Sequence, residues 1–341
     1  MGIAYAIREL GTLGGAWSAA YAVNDRGVAV GKAQTQDGKW HAVLWDGGDM
    51  TDLGVLEGVT DTEAWDINER GDVVGTGFAA GSRAGGAFLW QDGKMHELVG
   101  PGGPGSPAGA TGINDNGQIV GGAWSALGPR AAQYHAVLWT DIKRSSWLPP
   151  LAGGEEGHGW DINDDGLVVG LAQDANGIDR AVSWTDHQPV DLGALGGADA
   201  GASCVNAHGQ VAGAARTPDA AVHACIWENG IVADLGTLPG SRHSRALDIN
   251  DHGHVVGIAM AASPGQGQRR AVLWCGGAIF DLNGLVADTP DWELTTAHSL
   301  NSHGAIVGEG MMRGSKRGFL LTPSQERGGD AYEDGSTSEP G

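Results

Sequence analysis

Cysteine is scarce: the 341-residue chain has three, an odd number and too few for a disulfide scaffold. Cys204 falls on what reads as the first strand of its repeat and Cys225 on the third. With one strand between them they would stand about 10 Å apart, too far to bridge, and a reducing compartment fits. Basic residues are also few. The 20 Lys and Arg face 41 Asp and Glu, and the formal charge of −21 argues against a nucleic-acid or anionic-membrane surface. No apolar run approaches the length of a membrane span. The opening residues, Met1 to Leu10, show no basic segment followed by an apolar core, so no secretion signal is read and a cytoplasmic location is expected. No His/Cys spacing suggests zinc. No Rossmann motif, P-loop or haem signature appears, and the Gly-rich stretch Gly100–Pro107 lacks Gly-Lys-Ser/Thr and opens no helix. The chain is therefore expected to use neither cofactor nor metal.

What is abundant is glycine, 60 residues, and it recurs in one phrase. The sharpest copy is Ile113-Asn114-Asp115-Asn116-Gly117-Gln118-Ile119-Val120-Gly121. Its Asn returns at Asn24, Asn68, Asn163, Asn206, Asn250 and Asn301, and a closing Gly follows seven positions later each time, from Gly31 to Gly308. A phrase repeated at a spacing of tens of residues signals a repeat architecture. Asn folds onto its own backbone, Gly supplies positive φ, and apolar residues flank both, so each copy is a hairpin turn and belongs to the scaffold.

Each repeat reads as four strands. In the first they are Ala19–Asn24, Val28–Lys32, His41–Trp45 and Met50–Leu53. The third strand ends in Trp45, Trp90, Trp139, Trp184, Trp227 and Trp274 in six repeats, as expected for packing between units. It begins with His41, His135 or His223 in three copies and with Arg180, Arg270 or Arg317 in three others, a pattern that suits contacts between strands. The seventh repeat stops after its third strand, Gly318–Leu321, while Tyr5–Leu10 resembles an unattached fourth strand. The predicted fold is all-β: a seven-bladed β-propeller of four-stranded blades, closed by the N-terminal strand pairing with the last blade. One domain covers 1–323, and the acidic remainder, 324–341, reads as disordered.

The combination of Gly11-Thr12-Leu13-Gly14-Gly15, the Asn-Asp-x-Gly turns and His41-Ala42-Val43-Leu44-Trp45 resembles the HAF-type repeats of bacterial proteins, often described as extracellular repeats. The likeness runs from about Arg8 to Leu321. It implies a propeller and no particular activity. Members are usually expected to be secreted, and no signal is read here.

Aligning the copies on the turn Asn separates scaffold from variation. One inner-strand position is always small: Ala20, Ala64, Ala110, Gly159, Ala202, Ala246 and Ala297. Its neighbours of opposite parity vary. One ring is Tyr21, Trp65, Thr111, Trp160, Ser203, Leu247 and His298, and the next is Ala19, Glu63, Gly109, His158, Gly201, Arg245 and Thr296. Residues two apart on a strand share a face, so both rings are expected to line the central channel and hold one small organic ligand. Glu63, His158 and His298 suit proton transfer. Arg245 suits an anionic group, and Tyr21, Trp65, Trp160 and Leu247 shape the site. Trp17, His243 and Trp292, on loops before the inner strands, join them at one mouth, with Trp292 in a long loop from Asn283 to Thr295. Asp66, Asp161 and Asp248 share the parity of the small position and are expected to turn into blade packing and bond neighbouring turns; Ca²⁺ binding is the alternative. The same parity argument sets Cys204 apart from His158 and His298. The function expected is a cofactor-independent cyclase, isomerase or lyase acting in the channel. The alternatives are a module binding a sugar, metabolite or peptide without turnover, and a scaffold for protein partners.

Overall fold

The computed structural model describes residues 3–79, 85–125, 133–261, 269–286 and 290–324. Seven four-stranded antiparallel sheets form the blades of a β-propeller. Blade one is Gly14–Val23, Ala29–Thr35, Trp40–Asp46 and Asp49–Gly54, innermost strand first. The inner strands of blades two to seven are Asp61–Ile67, Ala108–Ile113, Gly157–Ile162, Ala200–Val205, His243–Ile249 and Trp292–Leu300. In blade seven the outer strand is the N-terminal Ala4–Glu9, which pairs antiparallel with Ser315–Ser324 from Ala4↔Ser324 to Glu9↔Phe319. The ends of the chain thus close the ring, and one of the two sheet edges of that blade is covered.

Several boundaries differ from the sequence reading. Trp17 and His243, expected on loops, lie in the inner strands Gly14–Val23 and His243–Ile249, which pair one or more residues further out than the repeat pattern suggests. The third strand of blade seven runs on to Ser324 because Ala4–Ala6 supply backbone partners for residues 322–324. Trp292 and Glu293 are not in a loop: they begin the inner strand, where they pair with Met312 and Met311. The segment expected to be disordered lies outside the described residues from 325 onward.

The repeated phrase explains the packing. In all seven turns the Gly has positive φ, from 71° at Gly253 to 89° at Gly71, which only glycine adopts without cost. Each Asn side chain bonds back to its own turn; Asn24 Oδ1, for instance, accepts from Val28 N–H at 3.0 Å. Its Nδ2 donates to the backbone carbonyl of the next blade's Asn. The chain of donors runs from Asn24 through Asn68, Asn114, Asn163, Asn206, Asn250 and Asn301 back to Asn24, at 2.9–3.1 Å. Scaffold is therefore the right reading of these turns, and they also join blade to blade. The closing Gly is demanded by crowding. A Cβ there would lie 2.0–2.2 Å from an inner-strand carbonyl oxygen in every blade.

The tryptophans stitch the outside. Trp139, Trp184, Trp227 and Trp274 donate their indole N–H to backbone carbonyls of Val99, Pro149, Gly193 and Leu235, at the end of the preceding blade. The His/Arg position makes inter-strand pairs, as expected: His41 and His223 Nδ1 meet Asp52 and Asp234 at 2.9 Å. Arg180, Arg270 and Arg317 meet Asp191, Asp281 and Glu9 at 2.8–3.2 Å.

Candidate functional site

Every inner strand carries a β-bulge at the same place, between Ala20 and Ala22 in blade one and at the equivalent residues in the other six. The extra residue is the variable one: Tyr21, Trp65, Thr111, Trp160, Ser203, Leu247 or His298. A bulge sets two residues against one and breaks the alternation of faces. Parity counting therefore fails beyond it. Asp66, Asp161, Asp248 and Cys204, expected to turn away, line the same axial cavity as Tyr21, Trp160, Leu247 and His298.

The aspartates do bond neighbouring turns. Asp66 accepts from its own strand's Ile67 N–H and from Ile113 N–H of blade three, both at 2.8 Å. Asp161 links blade four to Val205 of blade five, and Asp248 links blade six to Leu300 of blade seven. Ser299 occupies that position in blade seven, its hydroxyl accepting from Val23 N–H. Among the described residues no group of three His, Cys, Asp or Glu is placed to hold a metal ion. Burial pushes the Cys204 thiol well above its ordinary range, so it is no ready nucleophile.

Before the bulge, parity holds and builds a pocket. His158 and Trp160 stack with ring centroids 3.9 Å apart, and Tyr134 covers the other face of His158 at 5.2 Å. Trp124 meets Tyr134 edge-on. With Trp65 and Phe78 these rings enclose a pocket of about 240 Å³ between blades two, three and four, at the small end of ligand sites. Among the described residues, none that lines it carries a full charge. His158 Nε2 is buried with no hydrogen-bond partner among the described residues. Burial holds its imidazole down at about 4, hence neutral at physiological pH, and pushes the Tyr134 phenol up to about 12. A buried polar atom left unpaired costs free energy on the order of 1–3 kcal/mol.

Tyr21 stacks on Trp65 at 4.6 Å and takes His298 edge-on at 5.0 Å. A belt of rings thus runs from blade seven to blade two, and Trp65 brings it to the pocket. His298 Nε2 is also buried with no hydrogen-bond partner among the described residues, and burial holds its imidazole at about 4.

The other expected site residues are placed elsewhere. Glu63 is bound to Lys32 Nζ at 2.6 Å, and that ammonium also stands 4.8 Å over the Trp40 ring. Trp17 is exposed and stacks on Trp40 at 6.2 Å. His243 Nδ1 accepts the Val222 backbone N–H, a bond between blades. Trp292 packs edge-on against Phe319 at 6.2 Å inside blade seven. Arg245 is exposed on its inner strand and lines neither cavity.

Tyr134, Trp124 and Phe78 escape a reading confined to inner strands. One signal points toward them: the residue after the closing Gly also varies, as Lys32, Thr76, Gly122, Leu171, Ala214, Ile258 and Glu309. Each pairs with a variable inner-strand residue. Gly122 is bare because a Cβ there would lie 2.3 Å from the Tyr134 ring.

No protein-family model matches the chain, and no curated protein matches its sequence. Among solved structures it is similar to the β-propeller domain of the Trilobed protease from Pyrococcus furiosus, described as having an open velcro topology. There the TM-score is 0.52 at 12% identity, over 77% of this chain and 80% of that one. Acylaminoacyl peptidase from Pyrococcus horikoshii gives a TM-score of 0.53 at 10% identity, over 90% of this chain and 52% of that one, so this chain spans about half the peptidase. At such identities the likeness shows the fold alone.

Proposed function

We propose that this propeller binds a small, flat, uncharged organic molecule in the aromatic pocket between blades two, three and four. The observation that carries the reading is the pocket wall itself, built from the rings of Trp65, Phe78, Trp124, Tyr134, His158 and Trp160. A flat ligand would lay its face against the rings of Trp65, Trp124 and Trp160. Charged ligands are disfavoured because no described residue of the lining neutralises them. Ligand-observed NMR of the full chain tests this with indole, quinoline, benzoate and glucose. Indole and quinoline should bind while benzoate and glucose do not. His158→Ala and Trp160→Ala should each weaken binding about tenfold, the worth of a lost ring contact. Failure of both flat probes to bind, or variants that bind like the parent, would sink the proposal.

Turnover is the second reading: a cofactor-free cyclase, isomerase or lyase. Its support is the His158 imidazole, held neutral by burial on the wall of that pocket. With the imidazole held near 4 it is a weak base, suited to an acidic O–H or C–H of the substrate. Its sign would be a rate carried by His158 that falls only as the pH drops toward 4. We also place the chain among HAF-type repeat proteins, on the seven Asn turns and the strand from His41 to Trp45.

A further inference from the structure

Tryptophan does two jobs in this chain. On the scaffold Trp139, Trp184, Trp227 and Trp274 spend their indole N–H on carbonyls of the preceding blade. The pocket between blades two, three and four is lined instead by Trp65, Trp124 and Trp160. Among the described residues nothing accepts the indole N–H of any of these three. Trp124 and Trp160 are each 40% exposed, and the Trp65 N–H is not sealed off. An indole nitrogen donates and never accepts. The described lining holds no Asp, Glu, Asn or Gln, so none of its side chains accepts through a carboxylate or an amide. The hydroxyls of Thr76 and Tyr134 can play either part. The Thr111 hydroxyl is already engaged, donating to Gly159 O at 2.7 Å, and His158 Nε2 has no open surface. The wall is thus rich in donors and poor in acceptors.

We propose, resting on the pocket reading above, that the ligand is a flat arene with an acceptor and no donor at its edge, an aza-arene or an aryl carbonyl compound. Water can serve an open N–H in the free protein, and a ligand lying on the rings removes that water. A donor covered without a replacement acceptor is costly. An arene without acceptors therefore gives back part of what its ring contacts contribute. A ring nitrogen or a conjugated carbonyl oxygen holds its lone pair in the plane of the arene. It meets a wall donor edge-on while the face stays on the tryptophan rings. A ligand that carries a donor finds few side chains to receive it, so of the two flat probes indole should bind more weakly than quinoline.

Two matched pairs test this by ligand-observed NMR titration of the full chain at pH 7.5. Quinoline and naphthalene differ by a ring nitrogen in place of a C–H, and indanone and indane differ by one carbonyl oxygen. Desolvation alone ranks naphthalene and indane first, because a polar atom is costly to bring out of water. Quinoline and indanone should instead bind about fivefold tighter than their partners, and the pair with the larger ratio tells ring nitrogen from carbonyl. Trp65→Phe, Trp124→Phe and Trp160→Phe each delete one N–H and keep a ring. For the donor in use the ratio should fall to about one. With isotope-labelled tryptophan, quinoline should also move that residue's indole proton downfield, and naphthalene should not. Naphthalene and indane binding at least as tightly as their partners, or ratios that survive all three substitutions, would overturn the acceptor rule and leave the pocket reading standing. Failure of all four compounds to bind would overturn both. If none of the variants folds, the parental ratios decide alone.

Discussion

At the hairpin end of the channel seven asparagines bond head to tail in a closed ring. At the other end of the same strands one position holds Ala19, Glu63, Gly109, His158, Gly201, Arg245 and Thr296. A few residues thus separate a ring in which every blade does the same thing from one in which hardly two blades agree. The first end is satisfied throughout: each Asn side chain donates and accepts. Among the described residues, the second leaves His158 Nε2 and Thr296 Oγ1, with His298 Nε2 two residues further on, buried without partners. A repeat tolerates such breaches of the local rules where its copies have specialised.

The largest expected effect sharpens this contrast by pH. The Asn ring does not titrate, whereas His158 does. Its folded imidazole, at about 4 against 6.5 for the unfolded chain, leaves the unfolded state holding more protons between those values. Stability present above pH 6.5 is therefore lost as the pH falls toward 4. Asp161 works in the opposite sense: raised from 3.8 to about 6, it favours the fold below that range and loses its contribution as the pH rises through about 6. Comparing the parent with His158→Gln cancels the aspartates. Between pH 7 and pH 4 the parent should lose about 3 kcal/mol more than the variant, read from urea midpoints. Parallel curves would mean that the imidazole is not buried as described.

The next effect tests the uniform end. Asn163 Oδ1 accepts the Leu167 N–H and its Nδ2 donates to the Asn206 carbonyl. Asn163→Ala strands both backbone partners and should cost about 2–3 kcal/mol in urea denaturation, with pocket binding intact if folding holds. A loss under 1 kcal/mol would show that the ring is ornamental.

How much of this could be foreseen follows from the same contrast. The repeat, the blade count and the N-terminal closure were legible because turn chemistry is local: Asn, Gly and flanking apolar residues announce a hairpin wherever they occur. Of the site, His158, Trp65 and Trp160 were legible as variation against a constant background. Tyr134 and Trp124 were not, since they lie on other strands and reach the pocket only because Gly122 leaves room. The Lys32 partner of Glu63 was hidden for the same reason. The axial aspartates were misplaced because counting by twos assumes a flat strand, and a bulge announces itself in pairing, not in residue type.

Gly159 sits where the two ends meet, and it yields the smallest expected effect. Six blades carry Ala at this position, which is buried in all of them. A Cβ on Gly159 would meet Gly121 O at 3.4 Å and Val120 Cβ and Val168 Cγ1 at 3.5 Å, ordinary van der Waals distances. Its φ is not in the left-handed region, since it is not among the positive-φ glycines. Gly159→Ala should therefore stabilise the fold by about 0.5–1 kcal/mol, by narrowing the unfolded ensemble. The informative outcome is a loss of stability. Gly159 lies between His158 and Trp160, and its carbonyl accepts the Thr111 hydroxyl at 2.7 Å. A destabilised variant would mean that blade four has given up the common residue so that its strand can hold those two rings in place. The boundary between the shared scaffold and the specialised pocket would then run one residue deeper than the alignment draws it.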